Sequence, residues 1–587
     1  MDIYSWLVHS GVLSAVRKPS RYIGKELNSV KKTPEGKLRV LLAFPDIYEI
    51  GMSHIGLKLL YDLLNRENYV YAERAYLPWK DMLAEMKKYG IPVYSMESYT
   101  PVREFHILGI TLQYELSYTN VLGLLEFSGI PLLQKDRSDE PLVVGGGPCT
   151  SNPEPMADFF DLFVIGDGEA AILEIAKLVH KNLELLKAGR RRELLSLLSR
   201  LPGVYVPSLG KREVHKALIK DLNDYEIMTS PVVPYMNVVH DRAVIEIMRG
   251  CNRGCRFCQA GMFYRPVRER KLEEVLSSIE PLIESTGYEE LSFLSLSTMD
   301  YTAVEKLTSG TLQYLQKEKV GLSLPSTRVD SFGVEMATKI ASIRKTGLTF
   351  APEAGTQRLR NVINKNITEK EVIEAISSAI ERGWKRVKLY FMIGLPTETE
   401  EDIEGIVELS KKVKRLGLKY LTVSISIFVP KPHTPFQYAR QITPPEARKK
   451  FAILSKIKRF ATLQLHDPGK SYIEGALSRG DRRVGEVIYR AYKAGSLFDE
   501  WGEEFRLSTW LKAFEACGID PELYSREKRP DEKLPWDHIS LGITREFLYR
   551  EYQKALKEET TQDCRWDRCT LCGVCQEYRT FNVLNRV

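Results

Sequence analysis

Arg249-Gly250-Cys251-Asn252-Arg253-Gly254-Cys255-Arg256-Phe257-Cys258-Gln259-Ala260 follows a short apolar, β-rich run at residues 244–248. The C-x3-C-x2-C spacing puts three thiols within eight residues. Three thiolates so spaced can bind three corners of an iron–sulfur cube and leave the fourth iron without a protein ligand. An open iron is a place for a substrate or cofactor to bind, so the stretch points to chemistry more than to structure. A closed zinc site needs four ligands, usually as two separated pairs. No fourth Cys or His follows nearby, and His240, eleven residues before Cys251, is poorly placed. Three close cysteines cannot pair fully as disulfides. A 4Fe–4S cluster on Cys251, Cys255 and Cys258 is the expectation.

The run before these cysteines is the first of six. They lie at 244–248, 291–296, 320–324, 348–351, 387–393 and 421–428, with helical stretches such as 272–283, 369–382 and 401–416 between them. Six βα units in about 200 residues predict a partial (βα)6 barrel over 241–440. The cysteine loop follows the first strand, at the mouth where barrel enzymes carry their chemistry. Upstream, apolar runs at 40–44, 91–94 (the weakest, broken by Pro92), 107–112, 142–144 and 162–165 alternate with helical patterns such as 55–65. That alternation predicts a Rossmann-like open parallel sheet over 39–185. Gly145-Gly146-Gly147-Pro148 and Gly166-Asp167-Gly168-Glu169 are turns after its strands, where such sheets bind ligands. The remaining segments are a lead-in at 1–38, a connector at 186–240, a helical region at 441–560 and a Cys-rich tail at 561–587. The fold class is α/β.

At 587 residues the chain has room for about three to four domains. It is 43% hydrophobic and 27% charged, and its net charge of +7 permits an anionic partner without arguing for one. Seven of the nine cysteines fall in two tight clusters, which reads as metal binding in a reducing compartment. Residues 1–20 have no long apolar core, and no run of about 18 apolar residues occurs elsewhere, so a cytoplasmic protein with no membrane span is expected. The basic run Lys187-Ala188-Gly189-Arg190-Arg191-Arg192 reads as a solvated helix end, with a nucleic-acid patch as the alternative. Ser478-Arg479-Gly480-Asp481-Arg482-Arg483 reads as a salt-bridged turn, with an anion site as the alternative.

The cysteine spacing and its neighbours resemble the radical S-adenosylmethionine (SAM) superfamily, in which the bare iron chelates SAM and an electron cleaves it to a 5′-deoxyadenosyl radical. The stretch Gly51-Met52-Ser53-His54-Ile55-Gly56-Leu57, with the glycines at 145–147 and 166–169, resembles the cobalamin-binding-like domain of one branch. Its cobalt-ligating form reads Asp-x-His-x-x-Gly. Here Met52 stands two before His54 and Gly56 comes one residue early, so any cobalamin would lack a histidine ligand, and an empty domain is an equal alternative. The resemblance implies SAM contacts from Ser295 and Ser297 after the second strand, Arg328 after the third, Glu353 after the fourth and Gly394 after the fifth. Arg328 has a structural salt bridge as its alternative, and 397–399 a helix cap. Phe428-Val429-Pro430-Lys431-Pro432-His433-Thr434-Pro435 resembles a loop of methylthiotransferases, with His433 read as loop packing.

Cys564, Cys569, Cys572 and Cys575 have C-x4-C-x2-C-x2-C spacing. C-x2-C-x2-C echoes ferredoxin loops, so a second 4Fe–4S cluster and a zinc clasp both stand as readings. The expected function is a radical SAM enzyme, with methyl or methylthio transfer implied by the resemblance. Its implied partners are SAM, a reduced flavodoxin- or ferredoxin-type donor and an unidentified substrate, with RNA or a ribosome-associated protein as the leading class. The rival is a non-catalytic iron–sulfur or zinc protein that binds RNA or a protein.

Overall fold

In the computed structural model, residues 2–323 and 348–585 are described. Arg328 lies outside them.

The N-terminal sheet contains β1 (Leu38–Phe44), β2 (Val70–Tyr76), β3 (Ile107–Thr111), β4 (Leu142–Gly146), β5 (Leu162–Val164) and β6 (Val204–Tyr205), in the order β2-β1-β3-β4-β5-β6. All neighbours are parallel except the antiparallel β6. The run at 91–94 is not a strand and forms only an isolated bridge between Tyr94 and Pro101. Its place in the sheet is taken by β2, whose charged centre hides it from a search for apolar runs. All seven β2 residues are buried. Arg74 donates to Glu97 at 2.7 Å and to Glu26 at 2.8 Å, and Glu73 accepts from Arg39 at 2.8 Å. Pairing of this kind lets a buried strand carry charge.

Helices Leu183–Lys187 and Arg191–Leu198 pack Leu186, Leu194, Leu195 and Leu198 onto one face of this sheet. The N-terminal unit therefore runs past residue 185 into the expected connector. Arg191, read from sequence as part of a solvated end, is buried and pairs with Asp161 at 2.7 Å.

The second body holds β7 (Ala243–Glu246), β8 (Glu290–Leu294) and β9 (Gly321–Ser323) in one parallel sheet, ordered β9-β8-β7. Strands β10 (Leu348–Glu353), β11 (Arg386–Ile393), β12 (Tyr420–Ile427) and β13 (Thr462–Leu465) follow in sequence order in a second parallel sheet. The six expected barrel strands are present. The added β13 falls in the region read as helical, because its four residues are mostly exposed and polar at alternate positions. Within each sheet all strands are parallel, so their carboxyl ends lie at one edge.

The other face of the N-terminal sheet is covered from far along the chain. Ile473, Leu477, Val487, Ile488 and Trp510 from helices Pro468–Ser478, Val484–Lys493 and Leu507–Ala516 join Leu41, Val121, Leu122 and Phe163 in one core. Arg479 is buried, Arg482 pairs with Asp158 and Arg483 with Asp481, so the 479–483 run is a salt-bridged turn. Among the described residues no helix is long and apolar enough to cross a membrane.

Candidate active site

The cysteine loop leaves β7 through Arg249 and Gly250. Gly250 has φ +90°, and a Cβ there would lie 2.4 Å from the Pro266 carbonyl oxygen, so only glycine fits. Cys258 caps helix Gln259–Phe263, its Sγ accepting from the Gly261 N–H at 3.3 Å. All three thiols are free. Burial pushes the Cys251 and Cys255 thiols up to about 11, each raised further by a neighbouring cysteine of the loop, and Cys258 is raised for the same reasons. A metal that binds them must displace protons. Among the described residues no group of three or more His, Cys, Asp or Glu side chains is arranged to hold a metal ion as it stands. The fit to a cluster rests on the donors: three free thiols on one loop, an N–H directed at sulfur, and no fourth ligand in that loop.

Of the other residues picked out from the sequence, Glu353 is linked to this loop through Lys365 and Ser295 through the cavity wall. Glu353 stands at φ +65° and pairs with Lys365 at 3.1 Å. The Lys365 ammonium lies near Cys255 and Cys258, where its charge favours their thiolates. Ser295 bonds Thr298 at 2.9 Å and lines the cavity described below, whereas Ser297 donates to Asp300 at 2.6 Å. Gly394 has φ +81°, its N–H donates to Glu398 at 2.9 Å, and Ile442 fills the space its Cβ would take. Thr399 caps helix Glu400–Arg415 with a reciprocal bond to Asp402. His433 is loop packing: its Nε2 sits 3.0 Å from the Ser151 carbonyl oxygen.

The tail is folded onto this mouth. Asp300, after β8, takes Arg253 of the cysteine loop and Arg565 of the tail. Burial would raise its carboxyl, but the Arg253 hydrogen bond and the two guanidinium charges pull it down to about 2. Asn252 donates to Asn582 at 2.8 Å, and Asn364 donates to the Thr561 carbonyl at 3.0 Å. Cys564, Cys569, Cys572 and Cys575 are free, ranging from buried (Cys572) to exposed (Cys569). Sequence reading missed Lys365, Asp300 and Asn364, which join the cysteines only through contacts distant in the chain.

A cavity of about 400 Å³ lies between the two sheets. One wall is the carboxyl edge of the N-terminal sheet: His54, Gly56, Thr111, Gly145 to Gly147 and Gly166 to Glu169. The facing wall is Glu246, Arg249, Gly250, Ser295 and Leu296, so it opens beside the cysteine loop. Arg249 clamps the walls together, pairing with Asp167 at 3.0 Å and Glu169 at 2.6 Å. Burial would raise the Asp167 carboxyl, but Arg268 and Arg249 hold it well below the usual range. His54 is a helix cap: its Nδ1 accepts from the Leu57 N–H at 3.1 Å.

Comparison with known proteins agrees with this geometry. Residues 56–207 match the family described as radical SAM proteins, N-terminal, and residues 245–410 the radical SAM superfamily. The chain is 30% identical over 444 residues to an uncharacterized protein of Methanocaldococcus jannaschii, covering 74% of this chain and 92% of that one. It is 26% identical to an uncharacterized methyltransferase of Pyrococcus horikoshii, over 48% of this chain and 60% of the relative. A threonylcarbamoyladenosine tRNA methylthiotransferase of Aquifex aeolicus is 25% identical over 47% of this chain and 65% of its own length. In fold, the chain is similar to TsrM, a radical SAM methyltransferase from Kitasatospora setae solved with cobalamin and a 4Fe–4S cluster. That match has a TM-score of 0.50 at 16% identity, covering 70% of this chain and 76% of TsrM. The chain belongs to the radical SAM superfamily and is an enzyme of that family.

Proposed function

We propose that the protein cleaves SAM at a 4Fe–4S cluster on Cys251, Cys255 and Cys258, and that it is a cobalamin-dependent methyltransferase. The observation that carries this reading is the cavity itself. It is walled by glycine-rich strand ends on one side and on the other by Arg249 and Gly250, which lead into the cysteine loop, so a large cofactor in it would lie next to that loop. Held by Cys251, Cys255 and Cys258, the cluster would supply the electron that breaks a carbon–sulfur bond of SAM, and cobalamin in the cavity would supply a methyl-carrying cobalt.

This chain's residues shape that chemistry. Gly146, with nothing within 4 Å of where a Cβ would stand, would let a flat cofactor approach the backbone. His54 is engaged as a cap, which favours cobalt without a histidine ligand. Lys365 and Glu353 would orient the charged end of SAM beside the open iron, with Ser295 at the cavity wall. A reduced flavodoxin- or ferredoxin-type protein would supply the electron.

Methylthio transfer to RNA or a ribosome-associated protein is the second reading, favoured by the match to the tRNA methylthiotransferase. The test is anaerobic turnover of reconstituted protein with SAM, dithionite and cobalamin. The expected products are 5′-deoxyadenosine and S-adenosylhomocysteine. Formation of neither product would overturn the reading; 5′-deoxyadenosine alone, with no cobalamin bound, would move it to the second.

A further inference from the structure

Arg265 ends the turn after the cysteine helix and is 3% exposed. Its Nε donates to the Gly261 carbonyl at 3.1 Å. Its Nη2 reaches the cysteine loop, 4.0 Å from where a Cβ on Gly254 would stand. The guanidinium lies over the Phe547 ring, 5.6 Å from its centroid. Phe547 sits in the first turn of helix Arg545–Leu556, whose cap residue Thr544 donates its N–H to the Cys572 carbonyl at 2.9 Å. Arg265 thus spans from the core cysteine loop to the platform of the tail cysteines. Phe257, Met262, Phe547, Cys572 and Val574 belong to the same apolar cluster.

The Nη1 of Arg265 is buried and meets no hydrogen-bond partner among the described residues. A buried guanidinium without full pairing is costly, so its site calls for negative charge. The groups within its electrostatic reach include thiols on both sides, Cys251 of the core and Cys564 and Cys575 of the tail, together with the Lys216 ammonium, whose Nζ donates to the Arg265 carbonyl at 2.7 Å. The tail spacing favours iron over zinc. Its last three cysteines follow at C-x2-C-x2-C, the wrapping pattern of ferredoxin cubes, rather than as two separated pairs. The Leu571 N–H already donates to Cys569 Sγ at 3.4 Å, a bond type that tunes iron–sulfur clusters.

We propose that Cys564, Cys569, Cys572 and Cys575 hold a second iron–sulfur cluster, and that Arg265 is a positioning cation shared between it and the cluster on the core cysteines. A cation between two anionic clusters stabilises the more negative, reduced state of each. It therefore raises both reduction potentials. The core half of this inference rests on the proposed radical centre; the tail half does not.

The test uses full-length protein, reconstituted anaerobically, with iron and zinc counted and the reduced clusters titrated by electron paramagnetic resonance. About eight irons and no zinc per chain are expected. Two variants, C564A/C569A and C251A/C255A/C258A, should each keep about four. The first spares the buried Cys572, so that folding survives. Arg265→Gln should leave iron unchanged and move both potentials more negative, and Arg265→Lys should recover part of the shift. A purely structural role for Arg265 would lower thermal stability without moving either potential. About four irons and one zinc would overturn the tail cluster, as would retention of about eight irons by C564A/C569A. A shift of only one potential would overturn the shared placement. If the core triple variant keeps all its iron, the radical-centre reading fails and the tail cluster stands.

Discussion

Gly146 shows a bare backbone to the inter-domain cavity, with nothing within 4 Å of where a Cβ would stand. Its φ is not in the left-handed region, so a side chain can be added without strain. Gly146→Leu is expected to fold as the parent does and to weaken cobalamin binding by about tenfold or more, because a leucine occupies cofactor space. Absorbance titration alongside a melting curve checks this; unchanged affinity would remove the cavity from the cofactor. Asp300 is the opposite case, a buried group with several partners. Asp300→Asn leaves Arg253 and Arg565 short of a carboxylate and is expected to cost about 3 kcal/mol in urea unfolding, the lower end for a broken buried pair because Arg565 keeps Asp563. The three core cysteines were legible because their spacing is local. Asp300, Lys365 and Arg265 were not, since an arginine, a lysine or an aspartate reads the same whether it meets solvent or a thiol.

At the scale of elements, β2 and the turn after β10 show how packing overrules pattern. Strand β2 carries Glu73 and Arg74 at its centre and is still fully buried, because Glu26, Glu97 and Arg39 come from elsewhere to pair them. Arg74→Met would leave Glu26 and Glu97 buried without the guanidinium that bonds both, and a loss of about 3–5 kcal/mol is expected from chemical denaturation. Gly355, after β10, touches helix Glu400–Arg415 so closely that a Cβ would lie 2.2 Å from the Asp402 carbonyl oxygen. Gly355→Ala should therefore push the helix off the barrel and cost about 1–3 kcal/mol, with local loss of amide protection in that helix. A mutant as stable as the parent would mean the helix can shift freely.

At the scale of the molecule, residues 468–516 close the N-terminal sheet, and the seam holds a buried acidic group. Asp46 accepts from the Ile47 N–H at 2.7 Å and from Trp501 at 3.1 Å, and Glu500 accepts from Asn120 at 2.6 Å. Burial pushes Asp46 and Asp499 up to about 6, and burial with the neighbouring Asp46 raises Glu500. Lys470 and Glu49 are the other charged groups that act on this seam. Carboxyls raised above their unfolded range stabilise the fold in the protonated form. That contribution is full below about pH 4 and is lost as pH rises through about 6. Glu500→Gln removes one carboxylate and is expected to raise the melting temperature more at pH 7.5 than at pH 5. Equal shifts at the two pH values would show that the seam does not titrate.

The sequence alone determined the three-thiol loop after a strand, the repeating βα order of the barrel, the glycine-rich strand ends of the first sheet and the four-thiol tail. These are local, and local spacing and period are what a chain displays directly. Tertiary structure decided the rest. It buried a charged strand at the edge of the first sheet and added a seventh, mostly exposed strand to the barrel. It extended the first domain past residue 185 and folded the tail against the cysteine loop. Each of these depends on partners tens to hundreds of residues away. Burial of charge, coverage of a sheet face and the docking of the tail on the cysteine loop are properties of the contacts made, and no single segment carries them.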